Sequence, residues 1–185
     1  PANPVPWWVV VLFGTALVFG AAGSTGFAAA SAAVQAGKAN LALLLPGAAL
    51  LLIGLGFKIA VVPVHYWAPD VYQGSPSSVA AFMAVGAKAA GFAVLLRLFL
   101  TVFAGQGGVI VPVFAVLASL TMIVGNLMVL VQTNLKRLMA YFGIASAGYM
   151  LMAFVPFAHT SVQADSLASA LCYLLSFTAA SFGAW

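Results

Sequence analysis

Leu41-Ala-Leu-Leu-Leu-Pro46-Gly-Ala-Ala-Leu-Leu-Leu-Ile-Gly54-Leu-Gly-Phe-Lys58-Ile-Ala-Val-Val-Pro63-Val-His65-Tyr66 carries one full charge in a run long enough to cross a bilayer. A membrane-spanning helix needs roughly 20 predominantly apolar residues. The rest of the chain has the same character: 65% of it is hydrophobic and 4% is charged, and its mean hydropathy is +1.18. Soluble domains carry about 25% charged residues, so this chain cannot build a surface that faces water. Its solvent is lipid.

Five other runs approach the same length: Val5–Ala22, Val79–Phe103, Val109–Thr133, Lys136–Phe157 and Ser166–Trp185. Each is far longer than the roughly 10-residue strand of a membrane barrel, and none alternates in polarity. A helix satisfies its own backbone in lipid. The expected fold is therefore all-α, a polytopic transmembrane helical bundle with one helix broken by proline. It forms a single membrane domain over residues 1–185 with about six spans (5–22, 41–66, 79–103, 109–133, 136–157 and 166–185). Turn formers join them at Gly23–Gly26, at Pro69-Asp70 with Gly74–Pro76, at Gly105–Gly108 and at Thr133-Asn134. The chain opens on Pro1-Ala-Asn-Pro-Val-Pro6 without a basic leader and closes on Trp185 inside an apolar run. The expectation is a segment of a longer polytopic subunit.

Six Lys and Arg against two Asp and Glu give a net charge of +4. Nucleic acid is not the implied partner, because two of the basic residues lie inside apolar runs and no cluster exceeds Lys136-Arg137. That pair opens a span and reads as an interfacial anchor. Basic loop residues tie between the two sides, so charge alone gives no orientation. Cys172, the one cysteine, rules out a disulfide framework and reads as a small buried hydrophobe. Asp70 and Asp165 fall in expected loops, and His159 is expected to be solvated. No phosphate loop, metal-ligand spacing or nucleophile–base pair is present.

The chemistry concentrates on two lysines. Lys58 stands about 12 Å from the end of its run at the α-helical rise, and Lys88, in Val85-Gly-Ala-Lys88-Ala-Ala-Gly91, about 14 Å into the next. Both depths are near mid-bilayer, where a charged lysine costs roughly 2.5–3.5 kcal/mol. A hairpin of the two runs sets them at nearly the same level. Small neighbours (Gly54, Gly56, Ala60, Gly86, Gly91) allow close packing around them. Two ammonium groups sharing a dry site do not both stay charged comfortably, and a lysine that exchanges its proton is what a relay requires. The competing structural reading has one lysine snorkelling and the other paired with a carboxylate.

Pro63 lacks an N–H and kinks or breaks a helix. Broken helices in membranes line cavities and mark transport sites, although an ordinary kink is the alternative. His65, beside Tyr66 and Trp67 of an interfacial aromatic belt, titrates near neutral pH and is a candidate route for protons from bulk water to Lys58. A hydrogen-bonding histidine without a relay role is the other reading.

The block Gly54-Leu-Gly-Phe-Lys-Ile-Ala-Val-Val-Pro-Val-His-Tyr-Trp-Ala-Pro-Asp-Val-Tyr-Gln-Gly-Ser-Pro76 resembles the signature of the antiporter-like membrane subunits of complex I, NADH–quinone oxidoreductase, and within them the N-type subunit. Val85–Phe92, Gly125-Asn-Leu127 with Leu135-Lys-Arg-Leu-Met-Ala-Tyr141, and Ala145-Ser-Ala-Gly-Tyr149 agree with it. The resemblance implies a proton-translocating subunit in an energy-transducing membrane such as the bacterial inner membrane. Lys58 and Lys88 match the family's helix-seven and helix-eight lysines. It implies no cofactor in this chain, other complex I membrane subunits and the bilayer as partners, and quinone as an indirect one. It also sets the Asp70 and Lys136 loops on the cytoplasmic or matrix side. The family's helix-five glutamate lies outside this sequence, so a carboxylate for Lys58 is expected from outside it. The start of helix six, where the family has a lysine, reads Pro1–Pro6 here, and a histidine common in the family is Ser146. Two rivals are a subunit of a multisubunit cation/proton antiporter or membrane-bound hydrogenase, and a passive membrane scaffold.

Overall fold

The computed structural model describes residues 6–158 and 163–185; His159 lies outside them. The described residues are helical almost throughout. Helix α1 (Trp7–Ala22) stops at Gly23, which adopts the left-handed conformation (φ 72°) and returns its N–H to the Phe19 carbonyl. The short α2 (Phe27–Gln35) follows at a bend of 52°. The sequence reading assigned no helix there, although Phe27-Ala-Ala-Ala-Ser-Ala-Ala is rich in the best helix former.

Helix α3 (Leu41–Ile59) opens on Asn40, whose side chain accepts from the Ala42 N–H. It then runs on through Pro46, which cannot donate the backbone hydrogen bond to Ala42. A short α4 (Trp67–Gly74) leads into one long span, Ser77–Thr101. That span consists of α5 (Ser77–Phe82), a single π turn (Met83–Ala87) and α6 (Lys88–Thr101). Helices α7 (Gly107–Leu130), α8 (Leu135–Leu151) and α9 (Gln163–Ala184) complete it, with a 3₁₀ segment, Met152–Ala158, closing α8.

Five helices are long and apolar enough to cross a membrane, or up to six if the bent α1–α2 pair is one span. The chain is an integral membrane protein. The run Leu41–Tyr66 is broken, as its proline predicts, and α3 ends at Ile59. One expectation needs correcting. The two acids are not in loops: Asp70 lies in the first turn of α4 and Asp165 in the first turn of α9. Turn-forming neighbours suggested loops there, but an acid favours the positive N-terminal end of a helix.

The bundle packs through small residues in two tight pairs. A side chain at Gly47 of α3 would meet the Gly14 carbonyl of α1 at 3.2 Å, and one at Gly125 of α7 would meet the Ala145 backbone nitrogen of α8 at 2.7 Å. Lipid offers no hydrophobic driving force between helices, so close backbone approach supplies the contact. Between the pairs sits an aromatic stack in which Phe114 lies flat against Phe154 at 4.4 Å and takes the edge of Phe99 at 5.0 Å. Several large apolar side chains of α7 and α9, such as Leu127 and Leu175, point outward. Cys172 does too, contrary to the buried role expected of it.

Candidate functional site

The site grows from the end of α3. Gly54 and Gly56 weaken its last turns, and Pro63 cannot continue a hydrogen-bond ladder. The helix closes on Ala60 in the left-handed conformation (φ 60°), with the Ala60 and Val61 N–H groups turned back to Gly56 and Phe57. Residues 60–66 form the break, which contains Pro63, before the chain re-enters a helix at Trp67. Backbone freed inside a membrane has to find partners. The Phe57 carbonyl accepts from the Trp67 indole at 2.8 Å, and the two rings stack at 5.4 Å. The Val62 N–H donates to the Thr121 hydroxyl at 3.2 Å, and Thr121, fully buried, donates onward to Leu117. Trp67 thus straps the break.

Lys58 occupies the last turn of α3, where a cation complements the negative end of the helix. It is half-buried. Its stem lies against Gly91 of α6, and its amine sits over the Trp7 ring of α1 at 5.3 Å. Lys88 follows the π turn directly and is 2% exposed. Its amine donates to the Gly143 carbonyl of α8 and faces the Phe177 ring of α9 at 5.4 Å. Single π turns inside helices recur at functional sites. Adjacent helices therefore carry the two lysines, but their amines do not share a partner: one turns toward α1 and the other toward α8 and α9.

His65 lies in the break, half-buried, with its Nδ1 enclosed and unbonded among the described residues. The hydroxyl of Ser146, one turn beyond Gly143 on α8, is also enclosed and unbonded, and the residue is fully buried. Beside the break lies a cavity of ≈ 390 Å³ whose walls, among them Leu52, Gly56, Val62, Pro63, Val113 and Leu117, are apolar throughout. Water needs polar partners to settle in such a space. The polar groups gather instead along α8.

Along α4, Arg137 donates to Asp70 at 2.6 Å and to Gln73 at 3.1 Å, while the Lys136 amine donates to the Ser75 carbonyl, just past the helix end, at 2.7 Å. The basic pair that reads as an interfacial anchor also clamps α4 to the start of α8. That contact occupies Asp70, and Asp165 lines a separate cavity with Tyr149, Ser166 and Tyr173. Sequence reasoning missed Trp7, Thr121 and Gly143. Only Thr121, a polar residue inside an apolar run, carried a signal of its own.

Residues 7–185 match the family described as NADH:quinone oxidoreductase/Mrp antiporter, transmembrane. NADH-quinone oxidoreductase subunit N of Nocardioides sp. (strain ATCC BAA-499 / JS614) is 43% identical over 94% of this chain and 33% of its own length. The protein of that name from Desulforamulus reducens is 43% identical over 95% of this chain and 36% of its own. The chain thus spans about a third of the length of these curated relatives. Among solved structures, respiratory complex I from Thermus thermophilus with bound aureothin has a chain 39% identical at a TM-score of 0.67, covering 95% of this chain and 37% of that one. A chain of the Mrp complex from Dietzia sp. DQ12-45-1b superposes better, at 0.81, over 93% of this chain and 30% of that one. At 24% identity it speaks for the fold alone.

Proposed function

This chain belongs to the NADH:quinone oxidoreductase/Mrp antiporter transmembrane family, and from that premise we propose that it is part of a proton-translocating membrane subunit of a complex I-type NADH–quinone oxidoreductase. In this reading Lys58 and Lys88 are relay stations, and quinone is reduced elsewhere in the assembly. The observation that carries it is Lys88: a fully buried ammonium held by one backbone carbonyl and an aromatic face, with no carboxylate beside it among the described residues. A passive scaffold gains nothing from a charge that costs several kcal/mol to bury.

Lys58, half-buried at a helix break, takes the more accessible station, and His65 in the same break passes protons toward it. The counter-carboxylate for Lys58 comes from outside these residues, since Asp70 is held by Arg137. No redox group is assigned to this chain, and its partners are the other membrane subunits of the complex. A cation/proton antiporter subunit is the second reading, because the description of the matched family also names the Mrp antiporter. The higher identity to the subunit N relatives weighs against it.

The test is Lys58→Ala and Lys88→Ala in the complete subunit within its assembled complex, reconstituted in vesicles. Proton yield per quinone reduced should fall sharply in both while the complex still assembles. Wild-type yield in both fully assembled variants would overturn the relay. Proton exchange against sodium without quinone chemistry would favour the antiporter.

A further inference from the structure

We propose that Gly143 is a positioning residue for Lys88: its carbonyl and its missing side chain together form the slot that holds the buried ammonium. The inference rests on the relay reading above and adds a residue to it.

Helix α8 presents an unbroken buried stretch from Gly143 to Gly148 to its neighbours. Within that stretch the Lys88 amine donates to the Gly143 carbonyl. A carbonyl already engaged in a helix keeps a second lone pair for such a donor. A methyl group added at Gly143 would stand 2.6 Å from the Lys88 Nζ. The next atoms are at ordinary contact distance, with Lys88 Cε at 3.8 Å and Phe177 Cζ at 4.0 Å. The space that a side chain at this position would take is therefore occupied by the amine and by nothing else close.

The end of a lysine ordinarily swings away from such a clash at little cost. Here the side chain is 2% exposed, with the Phe177 ring 5.4 Å from its amine. An alanine at Gly143 therefore acts mainly on where the ammonium rests. It lifts the charge off its only hydrogen-bond acceptor among the described residues, and it leaves the helix contacts of α8 nearly unchanged. Proton transfer depends on ångström-scale placement of the donor, so the effect belongs in the relay.

The experiment is a double-mutant cycle in the complete subunit within the assembled complex, using Gly143→Ala, Lys88→Ala and the pair. Two quantities are read: proton yield per quinone reduced, and thermal unfolding of the complex. Gly143→Ala should assemble and lower the yield, by up to roughly 10²-fold. In the Lys88→Ala background it should lower the yield no further and leave unfolding unchanged. Should Gly143→Ala prevent assembly, the double variant should restore it, because the atom the methyl group meets is gone. A Gly143→Ala complex with wild-type yield alongside an inactive Lys88→Ala complex overturns the proposal. So does an assembly defect that Lys88→Ala fails to relieve, which would assign the glycine to helix packing. If Lys88→Ala itself pumps normally, the relay reading fails instead. The unfolding cycle then decides the fit between Gly143 and Lys88: additive losses reject it, and coupled ones uphold it.

Discussion

Lys58 and Lys88 are lysines on adjacent helices, yet the protein treats their charges in opposite ways. Lys58 ends a helix that stops one residue later. Its charge is half-buried, it rests on an aromatic face, and the helix end itself offsets part of its cost. Lys88 opens a helix just after a π turn, is fully buried, and has a carbonyl of another helix as its acceptor. In the first case the backbone is rearranged around the charge. In the second the backbone stays helical through a single π turn, and a neighbouring helix gives up a side chain. A station that exchanges protons with its surroundings suits the first arrangement, and one that holds a proton away from water suits the second.

Removing the buried charge is the strongest way to break this contrast. Lys88→Met should cut proton yield on the order of a hundredfold, the lower end of what a positioned proton-transfer group contributes. It should also leave the unfolding temperature unchanged or raised, because replacing a buried charge with an apolar group of similar volume is often neutral or stabilising. A lower unfolding temperature would make Lys88 a structural residue and erase the distinction.

Thr121→Val probes the opposite side, where the backbone was rearranged. It leaves the buried Val62 N–H without its acceptor and should cost about 1–3 kcal/mol, read by thermal unfolding of the assembled complex. A loss close to zero would mean that the break near Lys58 tolerates an orphaned N–H. Trp7→Leu should be milder. Losing the aromatic face weakens the hold on Lys58 by about 0.5–1 kcal/mol, and an amine reagent should label Lys58 faster while Lys88 stays protected. Equal labelling of both lysines would collapse the contrast. Asp70→Asn should have the smallest effect. The ion pair to Arg137 is exposed (31% and 73% for the two side chains), so its loss should lower stability slightly at low salt and not at high salt.

The fold was legible because a membrane span is a one-dimensional signal: enough apolar residues in sequence need no partner to be recognised. The break was legible for a similar reason, since Pro63 acts on its own helix. Its consequences were not. That α3 ends on a left-handed Ala60, and that Trp67 folds back to Phe57, depends on how the freed backbone is satisfied. The misplacement of Cys172 has a related cause, because a helix in lipid is apolar on every face and its sequence does not mark which face turns inward. The lysines themselves stood out as charges in apolar runs, but their partners are set by which helices become neighbours. Gly143 lies 55 positions from Lys88, and Asp70 lies 67 from Arg137. Nothing in the local pattern of either marks the pairing.

The apolar cavity beside α3 gives the break an electrical character. Interrupting a helix in a membrane ordinarily opens a weak point, where loose amides invite water and water carries charge. Here the indole of Trp67 and the hydroxyl of Thr121 take up amide groups at the break, and the space beyond is lined by apolar residues. That flank works as insulation. If Lys58 exchanges protons as proposed, this apolar flank gives them few polar groups to leave by, and an interrupted helix can then coexist with a membrane that holds its voltage.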